Sequence, residues 1–305
     1  MTTILKLALV TGAAFAAGSR SADAQVQATA IAVHPAPPAS SKHILYRVRG
    51  PQGATVYLLG SVHLLSADAA TLPQEVDTAF AHAKTVTFET SLDSAMARGP
   101  EMIARGRYGD GRTLRESLAP AHAAKVDSVL HLYGLSLDQV NGFKPWMVSL
   151  LMAQFAMQKL NFQPQYGVDM QLNARAKQAS KPVGGLESVD FQMGLFDSLS
   201  PADQERMLLD NDSPEGAAKQ MGAIRDAWSH GDAAGLDSML NARMADAPTL
   251  LDALVWSRNR SWIPKIEAMI RGKDDALVVV GAGHLVGKQG VVAMLRAKGY
   301  TLEQM

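Results

Sequence analysis

The chain has 305 residues, of which 47% are hydrophobic and 19% charged. This is enough for one large or two small domains with a sizeable core, and it is too apolar for disorder. The 29 Lys and Arg residues balance 29 Asp and Glu residues, so no whole-molecule field attracts nucleic acid, and we predict no nucleic-acid partner. The sequence contains no cysteine, which excludes disulfide scaffolds, structural zinc–thiolate sites and cysteine nucleophiles.

The first 24 residues have the pattern of an export signal. Lys6 supplies a positive charge, residues 7–18 are a short apolar stretch, and residues 22–24 read Ala-Asp-Ala, a small-residue cleavage pattern. The apolar stretch is too short to span a bilayer, although an N-terminal anchor or a buried helix is an alternative. We therefore expect cleavage after Ala24 and a periplasmic or secreted protein with no integral membrane segment.

The next residues predict a linker followed by a βαβ unit. Residues 25–43 are rich in Ala, Pro and Ser and lack a sustained apolar period, which predicts a disordered tail or linker before a single domain at 44–305. Residues 45–59 alternate around a Gly-Pro-Gln-Gly turn and predict a hairpin. A helical pattern at 73–84 and a strand pattern at 85–89 follow, and together with the hairpin they indicate a βαβ unit.

The rest of the domain is predicted to be mostly helical, with strands returning at its end. Helical patterns dominate from about 92 to 250 and are interrupted by one strand at 181–187. Helices near 250–259 and 261–271, a strand at 276–280, a helix at 289–298 and a strand at 300–303 follow. Because proline disfavours a helix interior, Pro264 predicts a helix break near Ser261. The expected fold is α/β, with a mixed central sheet built from two related halves and a large helical insertion.

The two ends of the domain share a Gly-x-x-His motif. Residues 56–63 read VYLLGSVH and residues 277–284 read LVVVGAGH. With 25 Gly and eight His in the chain, two such matches prove little alone, but both directly follow an apolar strand, where ligand sites of open α/β sheets lie. Histidine there can bind a metal or move a proton. We therefore expect His63 and His284 to lie in one pocket.

Carboxylates are predicted at the same edge of the sheet. Glu89 and Glu187 each end a predicted strand, and a strand beside that of His63 would place Glu89 next to the histidines. Two imidazoles with carboxylates suit a divalent Mn, Co, Zn or Fe ion, which can activate water. The alternative is that each Glu caps a strand or helix and each His is a hydrogen-bonded core residue.

Two further residues are weaker candidates. Asp169 begins a helix, where a carboxylate is favoured even without a catalytic role. Arg258 and its neighbour Asn259 lie near a predicted helix end, where the arginine either interacts with the helix dipole or clamps a substrate carbonyl or carboxylate.

Other common motifs do not match the sequence. The glycines at 281–287 are spaced one residue too widely for a dinucleotide loop. Patterns of serine-hydrolase elbows, HExxH proteases and P-loops do not occur.

Five stretches give the chain a resemblance to a known family. In chain order they are LLGSVHLL, LPQEVDTAFAHAKTVTFE, YGVDMQLNARAKQASKPVGGLES, RNRSWIPKIEAMI and ALVVVGAGHLVGKQGVVAMLRAKGY. They resemble the TraB/PrgY/GumN family, whose relatives include the Tiki metalloproteases, over most of residues 44–305. Ser61 departs from the family pattern, in which Thr is common at this position.

The resemblance carries expectations about fold, site and activity. It implies two related halves, as in erythromycin esterases and ChaN-like proteins, and a metal site formed by His63, Glu89 and His284. It also implies metal-dependent peptidase activity. Beyond what the resemblance implies, we expect Arg258 to stabilise an oxyanion and Glu187 or Asp169 to act as general base.

Two other functions remain open at this stage. One is a metal-free esterase or related hydrolase in which His63 is the general base. The other is a non-catalytic periplasmic binding or accessory protein, because Met147, Met152 and Met157 in one helix could line an adaptable groove, although such a stripe is more often core. The expected partner is a peptide or small-molecule substrate.

Overall fold

A six-stranded mixed sheet forms the centre of the molecule. The computed structural model describes residues 42–159, 161–210, 213–241 and 246–305. The predicted export signal and residues 25–41 of the predicted linker lie outside the described residues. The strands are β1 (Leu45–Arg49), β2 (Thr55–Ser61), β3 (Thr85–Phe88), β4 (Val183–Gly185), β5 (Ala276–Gly281) and β6 (Leu302–Gln304). Their order in the sheet is β4-β3-β5-β2-β1-β6.

Strands from the two ends of the domain meet in the middle of this sheet. β5 lies between β2 and β3 and is parallel to both, and β4 continues the parallel part beyond β3. β1 is antiparallel to β2 and to β6, which confirms the predicted hairpin. Every residue of β5 is buried, as expected of a parallel strand covered on both faces. The two Gly-x-x-His strands are therefore direct neighbours.

Helices cover the sheet and fill the long insertion between β3 and β5. They are α1 (Gln74–His82), α2 (Leu92–Ala97), α3 (Gly99–Arg105), α4 (Leu114–Ser117), α5 (Pro120–Leu132), α6 (Leu137–Val140), α7 (Pro145–Lys159), α8 (Val168–Gln178), α9 (Val189–Asp197), α10 (Pro201–Leu209), α11 (Pro214–Ser229), α12 (Ala233–Leu240), α13 (Pro248–Leu251), α14 (Ser257–Ile270), α15 (Ala282–Leu285) and α16 (Val291–Ala297). β4 is the one strand that the described residues place within this insertion, as predicted. Within the described ranges, no helix has the length and apolar character needed to cross a bilayer.

The helix that carries Arg258 differs from the prediction. The expected break near Ser261 is wrong, because α14 runs without interruption from Ser257 to Ile270 with Pro264 inside it. Because Pro264 has no N–H, the carbonyl of Arg260 loses its helical hydrogen bond. Arg260 is exposed, so water can donate a hydrogen bond to this carbonyl instead. The irregularity lies upstream instead, in a π-helical segment at Asp252–Trp256 that joins α13 to α14.

The methionine stripe of α7 belongs to the core. Met147, Met152 and Met157 are at most 3% exposed. Trp146 of the same helix stacks on Phe196 of α9 with ring centroids 5.2 Å apart. These methionines therefore fill gaps between helices and do not line an open groove.

Candidate active site

The carboxyl ends of three neighbouring parallel strands place the candidate side chains together. Ser61, at the end of β2, is opposite Gly281, at the end of β5. Glu89 follows β3 directly, and the backbone N–H of Glu187 donates to the carbonyl of Glu89 over 2.8 Å. Backbone hydrogen bonding between the two segments thus continues one residue beyond β3 and two residues beyond β4. As a result, the two glutamates start from adjacent positions at the same edge as the Gly-x-x-His motifs.

His63 is hydrogen-bonded to Asp169 in the interior. His63 Nδ1 and Asp169 Oδ2 are 2.6 Å apart, and both side chains are 6% exposed. Asp169 is brought there by the start of α8, where the N–H of Val168 donates to the carbonyl of Val62 over 3.1 Å. Gly167 allows this close approach, because a Cβ at that position would lie 2.0 Å from the carbonyl oxygen of His63.

Ser61 shares the same carboxylate. Its hydroxyl donates to Asp169 Oδ1 over 2.9 Å, and its side chain is buried. In a Ser-His-Asp triad the histidine lies between the serine and the carboxylate, whereas here Ser61 and His63 both contact Asp169. The arrangement therefore orients Asp169 and does not activate Ser61 as a nucleophile. Sequence reasoning assigned Ser61 no role, although its place two residues before His63 could have indicated a shared face.

Arg258 is the centre of a second, connected cluster. Its guanidinium has five N–H donors. The Nε–H and one Nη2–H donate to Glu187, and the other Nη2–H donates to Glu89 over 2.5 Å. Nη1 donates to the carbonyl of Leu254 over 3.0 Å and to Nε2 of His284 over 3.2 Å. All five donors are therefore engaged within the protein, and the side chain is fully buried.

The π-helical segment contributes to this cluster through its backbone. The N–H of Ser257 pairs with the carbonyl of Asp252, five residues earlier, so the helix gains one extra residue before α14 begins. The carbonyl of Leu254, inside the segment, accepts from Arg258. One helical turn later, Trp262 donates its indole N–H to Glu187 over 3.0 Å and lies beneath the guanidinium of Arg258. Arg258 is thus held by its own helix.

The contacts of His284 define its tautomer. Arginine can only donate, so the Nε2 atom that lies 3.2 Å from Arg258 must be the acceptor. The proton of the ring is then on Nδ1, which donates to Asn259 Oδ1 over 2.6 Å. Asn259 in turn donates to the carbonyl of Gln289 over 2.8 Å. His284 is therefore a neutral imidazole whose Nε2 lone pair is directed at a guanidinium.

Burial and charge shift the proton affinities of the site. Burial lowers the pKa of His63, but the charge and hydrogen bond of Asp169, with the charge of Glu89 added, outweigh it and raise this pKa above 6.5. Arg258 acts in the opposite direction on His63, so the two clusters interact electrostatically. Burial also raises the pKa of Glu89 above 4.5, which Arg258 and His63 partly offset.

The predicted metal ligands can be tested against the donor atoms they present. Glu89 accepts from Gly281 N–H through Oε1, over 2.7 Å, and from Arg258 through Oε2. His284 Nε2 also accepts from Arg258. A divalent cation bound by Glu89 and His284 would have to replace a guanidinium of the same sign, so these two side chains do not fit a metal in this arrangement. Among the described residues, no group of three or more His, Asp or Glu side chains has the geometry of a metal site.

The structure brings all six predicted site residues to one edge of the sheet. His63 and Asp169 form one cluster, Arg258, Glu89, Glu187 and His284 form the other, and charge couples them. Besides Ser61, sequence reasoning assigned no role to Gln192, whose amide lies 3.5 Å from Glu89 Oε2, or to Trp262. Their signals are weak, because Gln192 comes from the helical insertion and Trp262 has the appearance of a core residue.

Fold and site together define a mixed α/β protein with a buried histidine–carboxylate–arginine centre at the carboxyl edge of its parallel strands. The chain belongs to the TraB/PrgY/gumN family, whose model matches residues 44–304.

Two relatives support this assignment. "Uncharacterized protein YbaP" of Escherichia coli (strain K12) is 27% identical over 251 residues, which are 81% of this chain and 89% of that protein. The protein of the same name from Shigella flexneri is 27% identical over 245 residues, 79% of this chain and 87% of that protein. No solved structure matches the chain.

Proposed function

We propose that this protein is an exported hydrolase in which His63 is the general base and no metal takes part. The observation that carries the proposal is the buried 2.6 Å hydrogen bond between His63 Nδ1 and Asp169. With a proton on Nδ1 facing a carboxylate, the lone pair of the neutral ring is on Nε2, as a general base requires. The export signal predicted at residues 1–24 supports a reaction outside the cytoplasm.

In the proposed reaction, His63 Nε2 takes a proton from water as the water oxygen attacks the carbonyl carbon of a peptide or ester. Asp169 stabilises the imidazolium that forms, as the carboxylate does in hydrolytic triads. The same proton is then delivered to the leaving amine or alcohol, so protons balance over one turnover. Because all donors of Arg258 are engaged by protein groups, its proposed part is to hold Glu89, Glu187 and His284 in place.

A metal-dependent peptidase is the second candidate, and one observation favours it. Metal-binding histidines commonly donate their other ring N–H to a carboxylate, and His63 makes this contact with Asp169. An ion on His63 Nε2 could polarise a carbonyl or lower the pKa of a water molecule. Engaging Glu89 and His284 as further ligands would require Arg258 to leave them. We therefore rank this candidate below the metal-free hydrolase.

The test is hydrolysis in the presence of a chelator. Purified protein, dialysed against EDTA, is assayed with p-nitrophenyl esters and with fluorogenic peptides, beside His63→Ala and the control His131→Ala. His131 is an exposed histidine with its own carboxylate neighbour. We expect activity in the dialysed wild type and in His131→Ala, and its loss in His63→Ala. Activity that disappears with EDTA and returns with a divalent metal would support the peptidase, and binding without turnover would favour an accessory protein.

A further inference from the structure

A cavity lies beside the loop that follows His284. It has a volume of about 250 Å³ and is lined by Asp237, Asn241, Leu251, Trp256 and residues 286–289. Its walls come from the end of α12, the helical region before α14 and the loop after α15. This volume is below the roughly 300–1,000 Å³ of pockets for drug-sized ligands, so it suits a group the size of one residue.

Asn241 lines this cavity and carries an unsatisfied acceptor that is sealed from solvent in this arrangement. The residue is 7% exposed, and its Nδ2 faces three acceptors, namely Asp237 Oδ1 at 3.1 Å, Gly283 O at 3.2 Å and Val286 O at 3.4 Å. These contacts fix the amide orientation, because only the NH2 group can donate, and its two hydrogens are shared among the three oxygens. Asn241 Oδ1 is buried and accepts no hydrogen bond from any described residue. Such an acceptor needs a donor from outside the described protein groups.

Asp237 adds a negative charge at the same place. Its carboxylate is half-buried, its Oδ1 accepts from Asn241 over 3.1 Å, and within the described ranges no salt bridge joins it to a cation. Gly287 comes so close to this carboxylate that a Cβ there would be 2.2 Å from Oδ1, and its φ of +80° also favours glycine. Lys288 lines the cavity and is exposed, so the cavity reaches the surface. A carboxylate, an orphan amide oxygen and the indole of Trp256 together favour a cation with several N–H donors.

We propose that this cavity binds a primary ammonium group on a short apolar chain, such as the amino terminus or a lysine side chain of a peptide. The ammonium would donate to Asp237 and, once a small rotation of the amide exposes it to the cavity, to Asn241 Oδ1, and its carbon chain would contact Leu251 and Trp256. The role of this cavity as a substrate subsite rests on the proposed function. The binding of an ammonium group there depends on the cavity alone.

Hydrogen bonds link the wall of the cavity to the candidate active site. Asn241 holds the carbonyl of Gly283, the residue before His284. On the other side, the carbonyl of Gln289 accepts from Asn259, which in turn holds His284 Nδ1. A peptide anchored by its ammonium group would therefore lie against the loop that positions His284. The proposed subsite thus selects cationic peptides for a nearby centre.

Calorimetric titration of the full chain tests this proposal with three small probes. Leucinamide carries an α-ammonium, Nα-acetyl-lysinamide carries a side-chain ammonium, and N-acetylleucinamide carries neither. We expect at least one ammonium probe to bind about tenfold or more tightly than N-acetylleucinamide, and the stronger one identifies the source. Equal binding of all three probes, or binding of none, would overturn the proposal.

Matched variants locate the binding site. Asp237→Asn should weaken the ammonium probe about tenfold, whereas Glu215→Gln, which removes an exposed charge on α11, should not. Lys288→Glu adds a carboxylate at the cavity and should tighten binding about threefold, while Lys273→Glu at an exposed distant position should not. A gain of affinity cannot come from misfolding. If Asp237→Asn does not fold, the affinity of Lys288→Glu therefore still tests the location of the site.

The same titration in His63→Ala separates this inference from the proposed function. Ammonium binding that persists without any His63-dependent hydrolysis would reject the hydrolase and keep the site. Hydrolysis that depends on His63 without ammonium binding would reject the site and keep the hydrolase.

Discussion

The proton affinity of His63 is set by competition between burial and its carboxylate neighbours. Burial and Arg258 lower its pKa, whereas Asp169 and Glu89 raise it, and the net pKa is above 6.5. A raised pKa means that the protonated ring is stabilised in the folded protein. Its contribution to the free energy of unfolding is therefore complete below pH about 6.5 and is lost as the pH rises through the folded-state pKa. The neutral ring needed for catalysis forms only above that pKa.

Asp169→Asn should therefore change both the rate and its pH dependence. In the wild type, kcat/KM should rise with pH through an inflection above 6.5. Without the carboxylate, burial and Arg258 still lower the pKa of His63, so the inflection should move to lower pH. The rate should fall about 10⁴-fold, as in triads that lose their carboxylate. Asp138→Asn, at an exposed surface position, is the control. An inflection that does not move would show that Asp169 does not act on His63.

Arg258 is expected to dominate the stability of the site. Its removal leaves Glu89 and Glu187 buried with uncompensated charge. Arg258→Met should lower the free energy of unfolding by about 3–5 kcal/mol in urea denaturation. Arg258→Lys keeps the charge but has only three donors, so it should restore part of the loss. Arg260→Met removes an exposed ion pair two residues away and should cost at most about 1 kcal/mol.

A further variant separates charge from packing at Arg258. Adding Glu89→Gln and Glu187→Gln to Arg258→Met removes both uncompensated carboxylates, so the triple variant should recover stability relative to Arg258→Met alone. No recovery would mean that the cost comes from the lost volume and contacts of the arginine.

At the scale of elements, the entry of α8 against the end of β2 is the main positioning device. The backbone bond from Val168 to Val62 and the contact of Gly167 with His63 place Asp169 beside its partner. Gly167 and Val168 thus fix the distance between His63 and Asp169, which are 106 positions apart in the sequence. Any side chain at position 167 must move the helix start away from the strand end.

Gly167→Ala should consequently reduce activity through geometry. A Cβ would lie 2.0 Å from the carbonyl oxygen of His63, so α8 must shift. We expect a loss of about 1–3 kcal/mol in stability from overpacking, together with a large fall in kcat. The matched control is Gly222→Ala in α11, where a Cβ meets nothing within 4 Å and alanine should stabilise the helix by about 0.5–1 kcal/mol. Full activity in Gly167→Ala would show that the close approach is not required.

The helix of Arg258 shows where local sequence signals stop being informative. Pro264 predicts an interruption near Ser261, yet the lost hydrogen bond falls at an exposed position and the helix continues. The π-helical insertion at Asp252–Trp256 has no marker in composition or periodicity. It is defined by a one-residue shift in backbone pairing, and within it the carbonyl of Leu254 accepts from Arg258 in the folded protein. Local propensity cannot show it, because the partner is tertiary.

Across the whole molecule, the sequence predicts position better than role. Apolar strands ending in Gly-x-x-His or Glu predict which residues reach the carboxyl edge of the sheet, and the adjacency of β2 and β5 confirms it. What each group does there depends on its neighbours in three dimensions. Arg258 was expected to contact substrate, but its donors are used within the protein, and this follows only from the meeting of β3, β4 and α14. Export, the two related halves and the metal stay predictions.

The metal prediction can be tested on the whole molecule. A resident ion stabilises the folded chain by mass action, by about 2.7 kcal/mol at a concentration one hundred times its Kd. With a guanidinium 2.5 Å from Glu89 and 3.2 Å from His284, we expect no such gain, because a divalent ion would meet a buried positive charge. Dialysis against EDTA and addition of Mn²⁺, Co²⁺, Zn²⁺ or Fe²⁺ should therefore leave Tm unchanged.

Elemental analysis of wild type beside His63→Ala completes the comparison, and both should contain only traces of metal. About one equivalent of metal in the wild type that is absent from His63→Ala would contradict this, especially if the same ion raises Tm. Arg258 would then have to leave Glu89 and His284 when the ion binds. These two side chains would contact either Arg258 or the metal, but not both. In that case Arg258→Met should bind the ion more tightly than wild type, since the competing cation is gone.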